Sequence, residues 1–172
     1  MSMSSAAIPS FEITLNALSR ILDKAEAHAG AKKFDVGVLL NSRMAPDMFN
    51  FIRQVQAACD AAKNGSARLA GMEPPKFEDN ETTLPQLKER IAKTIAFVKS
   101  VDTKAIDASG ARAITLPLGP QRKGEMKGAD YLNHFALPNF YFHVAAAYMI
   151  LRHNGVEIGK TDFLNGIPLK LV

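Results

Sequence analysis

The chain has 172 residues, of which 47% are hydrophobic and 22% are charged, and this ordinary composition predicts one globular domain over residues 1–172. Its 21 lysines and arginines against 17 aspartates and glutamates give a net charge of only +4, and they are scattered along the chain, which argues against a nucleic-acid-binding protein with a basic, aromatic-rich face. A single cysteine excludes an internal disulfide framework and a Cys-x-x-Cys motif, and the lack of a secretory leader and of about 20 consecutive apolar residues predicts a cytoplasmic protein with no membrane partner.

The first predicted helix starts at Ser10 and ends at Gly30. Pro9 and Ser10 are typical of a helix start, and glycine is typical of a helix stop. The run FEITLNALSRILDKAEAHA between them places its apolar side chains on one helical stripe. That stripe consists of Phe11, Leu15, Leu18, Ile21, Leu22 and Ala25.

The second predicted helix runs from Pro46 to about Leu69, after an apolar connection that we expect to cover one end of the fold. Proline suits the first helical turn, and Asp47 places a negative charge near the positive end of the helix dipole. Many alanines allow neighbouring helices to approach closely. Cys59 lies on the apolar stripe and is interpreted as an inert buried thiol.

A third helix is predicted from Thr82 or Thr83 to about Val101, because Thr83 and Gln86 have the spacing of a capping box. The segment from Ala105 to Lys127 that follows is rich in glycine and proline. It predicts a loop or a weak β-hairpin, and its length between two helices makes it a candidate lid over a site.

The fourth predicted helix covers DYLNHFALPNFYFHVAAAYMILRHNG, from Asp130 to Gly155, and holds three of the four histidines. Pro138 lacks the amide that would bond the carbonyl of His134, so a kink is expected there. Four amphipathic helices joined by capped ends predict an all-α protein, an antiparallel four-helix bundle, with the loop or weak hairpin between the third and fourth helices.

Asn139 and His143 are four residues apart and therefore share one face of the fourth helix. Imidazole is a good ligand for zinc, nickel or iron, whereas an asparagine amide is a weak one. His134 and His153 point elsewhere and cannot join the same ion. The alternative is structural: His143 is hydrogen-bonded in the core and Asn139 bonds backbone freed by the proline. The aromatic side chains of this helix, Tyr148 among them, either line a pocket around His143 or fill the core.

Three segments carry a family resemblance: LNSRMAPDMFNFIRQVQAACDAAK, HFALPNFYFHVAAAYMILRHNG and GKTDFLNG. Together they resemble an uncharacterised bacterial family, domain of unknown function number nineteen ninety-three, which is grouped with the DinB/YfiT-like superfamily of four-helix bundles. The resemblance spans nearly the whole chain and implies the same bundle. In that superfamily a divalent metal is held by one histidine of the second helix and a His-x-x-x-His pair of the last long helix.

The resemblance places His143 on the second histidine of that pair and Asn139 on the first. The second helix has no histidine, and Gln54 is the first choice among its polar residues for the remaining position. The implied metal site is therefore degenerate, because amide oxygens are weak donors.

Beside an interaction module whose function is its dimer surface, two functions stay open at this point. In the first, Gln54, Asn139, His143 and Tyr148 form a central polar pocket that binds a small molecule or belongs to a non-catalytic bundle. In the second, the chain is a zinc- or nickel-dependent enzyme, a thiol-dependent transferase or a hydrolase, with His143 as the anchoring ligand beside Asn139 and Gln54. A homodimer is expected in either case.

Overall fold

A computed structural model describes residues 2–117, 119 and 121–170, and shows a mostly helical fold with one small sheet. Leu118 and Pro120, inside the predicted hairpin, lie outside the described residues. The long helices are α1 (Met3–Lys32), α3 (Phe51–Leu69), α4 (Leu84–Ser100) and α7 (Leu137–His153). The short ones are α2 (Gly37–Asn41), α5 (Thr103–Asp107), α6 (Gly128–Tyr131) and α8 (Lys160–Phe163), and a π-helical turn (Leu132–Ala136) joins α6 to α7. None of the described helices is long and apolar enough to cross a membrane.

The four long helices surround one apolar core. Helix α3 packs against α7 and α4, and α1 completes the ring by contacting both α4 and α7. Three phenylalanines, Phe11 of α1, Phe51 of α3 and Phe140 of α7, are fully buried. The rings of Phe11 and Phe140 meet edge to face with their centroids 5.0 Å apart, an arrangement that aromatic quadrupoles favour.

Helix α1 is longer at both ends than the sequence predicted. The Ser2 side chain accepts from the Ser5 amide and caps a helix that begins at Met3, so Pro9 lies inside it. Pro9 is beyond the first turn of this helix, so its missing amide removes the bond that would reach the Ser5 carbonyl. Gly30 is not the stop, since the chain leaves the helix at Lys33, which has a left-handed φ of 58°.

Helix α3 begins later than predicted, whereas α4 begins where the capping box places it. The Asn50 side chain accepts from the Arg53 amide at 3.0 Å, so Asn50 is the N-cap and Pro46 belongs to the preceding turn. An asparagine side chain can accept from a first-turn amide, whereas proline has no side-chain acceptor. Thr83 and Gln86 form the predicted reciprocal cap of α4.

The predicted hairpin exists, and the last long helix has a π turn in place of a simple kink. Strands β1 (Ala113–Pro117) and β2 (Lys123–Lys127) pair antiparallel, with Thr115 opposite Glu125. Ahead of Pro138, the Leu137 amide donates to the carbonyl of Leu132, five residues back. The missing proline donor is thus accommodated by a wider helical turn.

A buried guanidinium holds the segment between α3 and α4 in place. The Arg90 side chain is 1% exposed and pairs with Asp60 of α3 at 3.0 Å, and with Asp79 at 2.9 Å and Glu81 at 3.0 Å in the connecting segment. A buried charge is stable only when it is paired and hydrogen-bonded. Arg90 therefore fixes α3, α4 and their connection to one another.

Replacing Arg90 by methionine should destabilise the fold by about 1.5–3 kcal/mol, because three partly exposed carboxylates would lose a buried, hydrogen-bonded counter-ion, although Asp60 keeps Lys63 and Asp79 keeps Arg53. Urea unfolding of the two proteins measures the difference. The matched control is Lys99→Met, which breaks an ion pair with Glu12 at 2.9 Å whose lysine is 56% exposed, and should cost under about 1 kcal/mol. Equal losses for both variants would contradict the assigned role of Arg90.

The base of the hairpin is fixed by a close backbone approach at Gly128. A Cβ atom there would lie 2.1 Å from the carbonyl oxygen of Ser109, while the Gly128 amide donates to the Arg112 carbonyl at 2.9 Å. Only glycine permits this contact without a backbone shift.

Gly128→Ala should therefore lower the free energy of unfolding by about 1–3 kcal/mol, the usual cost of overpacking. Gly30→Ala is the control, since a Cβ at that helical position meets nothing within 4 Å, and alanine should stabilise the helix by about 0.5–1 kcal/mol. Thermal or urea unfolding of both variants tests the pair, and an unchanged Gly128→Ala protein would show that the backbone contact is not tight.

Candidate functional site

A groove of about 240 Å³ lies between α3 and α7, which form the most extensive helix contact of the fold. The small side chains Ala57 and Ala61 of α3 line it, and β1 contributes Leu116 and Pro117. The polar side chains that line it are Arg53, Asp60, Asn64, Arg68, Tyr131, Asn139 and His143. The groove therefore has a mixed apolar and polar lining.

Gln54 and His143 meet across the interface between α3 and α7. The Gln54 Oε1 atom lies 2.8 Å from His143 Nδ1, and Gln54 Nε2 donates to the Phe49 carbonyl at 3.4 Å. Because the Phe49 carbonyl can only accept, it takes the NH₂ end of the Gln54 amide, and the amide oxygen faces the His143 ring. An amide oxygen can itself only accept a hydrogen bond. His143 Nδ1 must then carry a proton, so the lone pair of the neutral ring is on Nε2.

The surroundings of His143 favour its neutral form. Burial lowers the pKa of His143 below its usual value of 6.5, and the positive charge of Arg53 lowers it further. The imidazole lies near Phe49, with ring centroids 6.3 Å apart in a stacked arrangement, and meets Phe142 edge-on at 5.2 Å. A neutral, half-buried histidine with one free lone pair can accept a hydrogen bond or a proton.

Asn139 lies one helical turn before His143 and lines the same groove, where Asp60 and Asn64 of α3 also lie. The Asp60 carboxylate is already engaged, because it pairs with Arg90 and with Lys63 at 2.9 Å. The groove therefore combines two neutral amides, a neutral imidazole and two guanidinium groups with a carboxylate whose charge is compensated by Arg90 of α4 and Lys63 of α3.

The structure brings together Asn139 and His143 in the groove and Gln54 behind the imidazole, but Tyr148 lies elsewhere. The Tyr148 hydroxyl donates to the Ile158 carbonyl at 3.4 Å, and its ring packs edge-on against Phe163 at 5.9 Å. Tyr148 thus attaches the C-terminal segment to α7, because position 148 is five residues beyond His143 and projects from a different face. His134 and His153 are exposed.

The donor set does not fit the three-histidine metal site that the superfamily implies. Gln54 Oε1 is occupied by the His143 ring proton, Asn139 offers a weak amide oxygen, and only His143 Nε2 remains as a strong donor. Within residues 2–117, 119 and 121–170, no three His, Cys, Asp or Glu side chains lie together in a metal-binding arrangement.

Several groove residues were missed by the sequence interpretation. A second stripe runs along α3 beside the apolar one, with its residues at helical intervals. It consists of Arg53, Ala57, Asp60, Asn64 and Arg68. That polar stripe was visible in the sequence, although its position opposite His143 was not. Tyr131, whose hydroxyl accepts from Arg68 Nη1 at 3.3 Å, carried no such signal because it lies before the π turn.

Cys59 is fully buried, as predicted. Burial raises the pKa of its thiol to about 12, a hydrogen bond with Thr94 only partly opposing this effect. The thiolate is the nucleophilic form, so Cys59 belongs to the core and has no part in the groove.

Comparisons with known proteins identify the family. The family model described as Domain of unknown function (DUF1993) matches residues 3–164. A crystal structure described as a DinB family member protein from Shewanella denitrificans is 44% identical, covers 98% of this chain and 95% of its own, and has a TM-score of 0.90. No protein with a curated description matches the chain. The family predicted from the sequence is thereby confirmed: the chain belongs to the DUF1993 family and has a DinB-like fold.

Proposed function

We propose that this chain is a four-helix bundle of the DinB/YfiT-like type whose groove between α3 and α7 binds a small polar molecule without catalysing a reaction. The observation that carries the proposal is the Gln54–His143 hydrogen bond of 2.8 Å. It commits one ring nitrogen to the protein and leaves the other as a neutral acceptor at a polar groove. A degenerate metal site has, on this proposal, become a pocket for hydrogen bonds.

The groove has the chemistry to recognise a ligand with both donors and acceptors. His143 Nε2 accepts, the amides of Asn64 and Asn139 can do both, and the guanidinium groups of Arg53 and Arg68 donate. A volume of about 240 Å³ suits a molecule smaller than most drug-sized ligands.

The π turn supports this location for the site. Such turns occur often at functional sites, and here the turn spans Leu132–Ala136, of which Phe135 and Ala136 line the groove. One extra residue in the turn shifts the side chains that follow it around the helix axis. Asn139 and His143 lie directly downstream of that shift.

The alternative function is a zinc- or nickel-dependent enzyme, either a thiol-dependent transferase or a hydrolase. One observation favours it: in a metal-binding histidine the N–H of the other ring nitrogen commonly donates a hydrogen bond to a neighbouring oxygen, as the His143 Nδ1–H does to Gln54 Oε1. It needs two further strong ligands, which the groove lacks. A homodimer and a cytoplasmic location remain predictions from the sequence under either function.

Filling the groove tests the proposal. Ala57 lines the groove, so in Ala57→Trp an indole should fill it and abolish the binding of small polar fragments that saturation-transfer NMR detects on the unmodified protein. Ala92→Trp is the matched control, because Ala92 is exposed on α4, away from the groove. Circular dichroism confirms that both variants remain folded.

Fragments that bind all three proteins equally, or no binding fragment at all, would contradict a ligand-binding groove. Zinc and nickel titrations of the same protein address the alternative. Stoichiometric metal binding that His143→Ala abolishes would favour the enzyme, whereas the proposal expects no stoichiometric uptake and no change of melting temperature on adding a chelator.

A further inference from the structure

A second, larger cavity of about 590 Å³ lies next to the groove, under the β-hairpin. We call it the hairpin cleft. Its walls are the turn after α3, from Gly71 to Pro74, and strand β1 with Arg112 before it. The hairpin cleft shares Arg68, Leu116 and Pro117 with the groove, so the two cavities meet along one wall.

The hairpin cleft has an excess of positive charge. Arg68, Arg112 and Lys123 line it, against the single carboxylate of Glu73. Among the residues that the structure describes, the ion pairs of the fold engage other lysines and arginines and none of these three. Low-dielectric walls concentrate the field of such charges and attract anions.

The two guanidinium groups are held in place by neutral acceptors. Arg68 Nη1 donates to the Tyr131 hydroxyl at 3.3 Å, and Arg112 Nη2 donates to the carbonyls of Arg68, at 3.0 Å, and of Leu69. Each guanidinium has five N–H donors, so these bonds leave donors on both side chains. The groups are thus fixed in position without being neutralised, which lowers the entropic cost of binding a ligand.

Gly71 explains how Arg112 can reach the end of α3. The glycine has a φ of 76°, and a Cβ atom there would lie 3.1 Å from Arg112 Nη1. A side chain at this position would crowd the guanidinium in a backbone conformation that already favours glycine. The sharp turn after α3 therefore leaves room for Arg112 beside Arg68.

We propose that the hairpin cleft is an anion site that takes the carboxylate or phosphate group of a small molecule. The planar fork of arginine matches both groups, and Lys123 adds a third charge at the hairpin. The exposed side chains of β1 along the cleft, Ala113, Thr115 and Pro117, offer a surface for the rest of the molecule. This site does not depend on the groove binding a ligand.

NMR titration of the arginine Nε–H signals tests the anion site at constant ionic strength, with chloride as the background salt. The probes are inorganic phosphate and butyrate, titrated separately. We expect saturable shifts of Arg68 and Arg112 with at least one probe, and the probe that binds identifies the anionic group. Arg68→Gln and Lys123→Gln should each weaken binding, the first by about tenfold or more because a charge-assisted bond is lost.

Arg43→Gln is the matched control, since Arg43 is exposed and lies outside both cavities, and its variant should bind as the unmodified protein does. Ala57→Trp fills the groove and should leave anion binding intact, so failure of the groove proposal and failure of the anion site can be told apart. Shifts that do not saturate with either probe, or that persist unchanged in Arg68→Gln and Lys123→Gln, would overturn the proposal.

Discussion

The hydrogen bond between Gln54 and His143 is the contact on which the character of the site depends. It joins the two helices that pack most extensively, and it decides which nitrogen of the imidazole carries the proton. A buried glutamine oxygen without a donor would be costly, as would a buried imidazole N–H without an acceptor. Because each satisfies the other, the contact leaves neither group as an unpaired polar atom at the α3–α7 interface.

Helix α3 connects this site to the rest of the molecule, because polar residues occupy two of its faces. On one face Gln54 supports His143, and on another Asp60 pairs with the buried Arg90 of α4. Asp60 also lines the groove. The same guanidinium that holds the connecting segment thus compensates the Asp60 carboxylate, which weakens the capacity of Asp60 to bind a cation. Stability and site chemistry are coupled at this residue.

Much of the fold followed from the sequence because helical periodicity and capping are local. The Thr83–Gln86 box defined the start of α4 since both partners lie within one turn. The start of α3 was misplaced because Pro46 and Asn50 are both acceptable helix starts, and the Asn50 bond to the Arg53 amide decides between them. The π turn before Pro138 was missed because the absence of one amide donor does not determine how the helix adjusts to it.

The candidate site was less predictable because it is built from two distant segments. The spacing of Asn139 and His143 placed both on one face, and the family resemblance pointed to Gln54, but no sequence pattern reveals that Gln54 Oε1 binds the ring nitrogen and is therefore engaged. Tyr148 was assigned to the pocket from its aromatic character alone. Its actual partners, Ile158 and Phe163, belong to a C-terminal segment whose path is set by tertiary packing.

The protonation state of His143 is the sharpest test of the Gln54–His143 hydrogen bond. Long-range ¹H–¹⁵N NMR correlation of the imidazole at about pH 7.5 should show a proton on Nδ1 and none on Nε2, the neutral form expected well above the pKa. On acidification the midpoint should lie below 6.5, since burial and Arg53 disfavour the cation. The contribution of His143 to the free energy of unfolding is then complete above pH 6.5, and it is lost as the pH falls through the lower pKa of the folded state. A proton on Nε2 at about pH 7.5 would contradict the bond from His143 Nδ1 to Gln54. A midpoint at or above 6.5 would contradict the lowered pKa of His143.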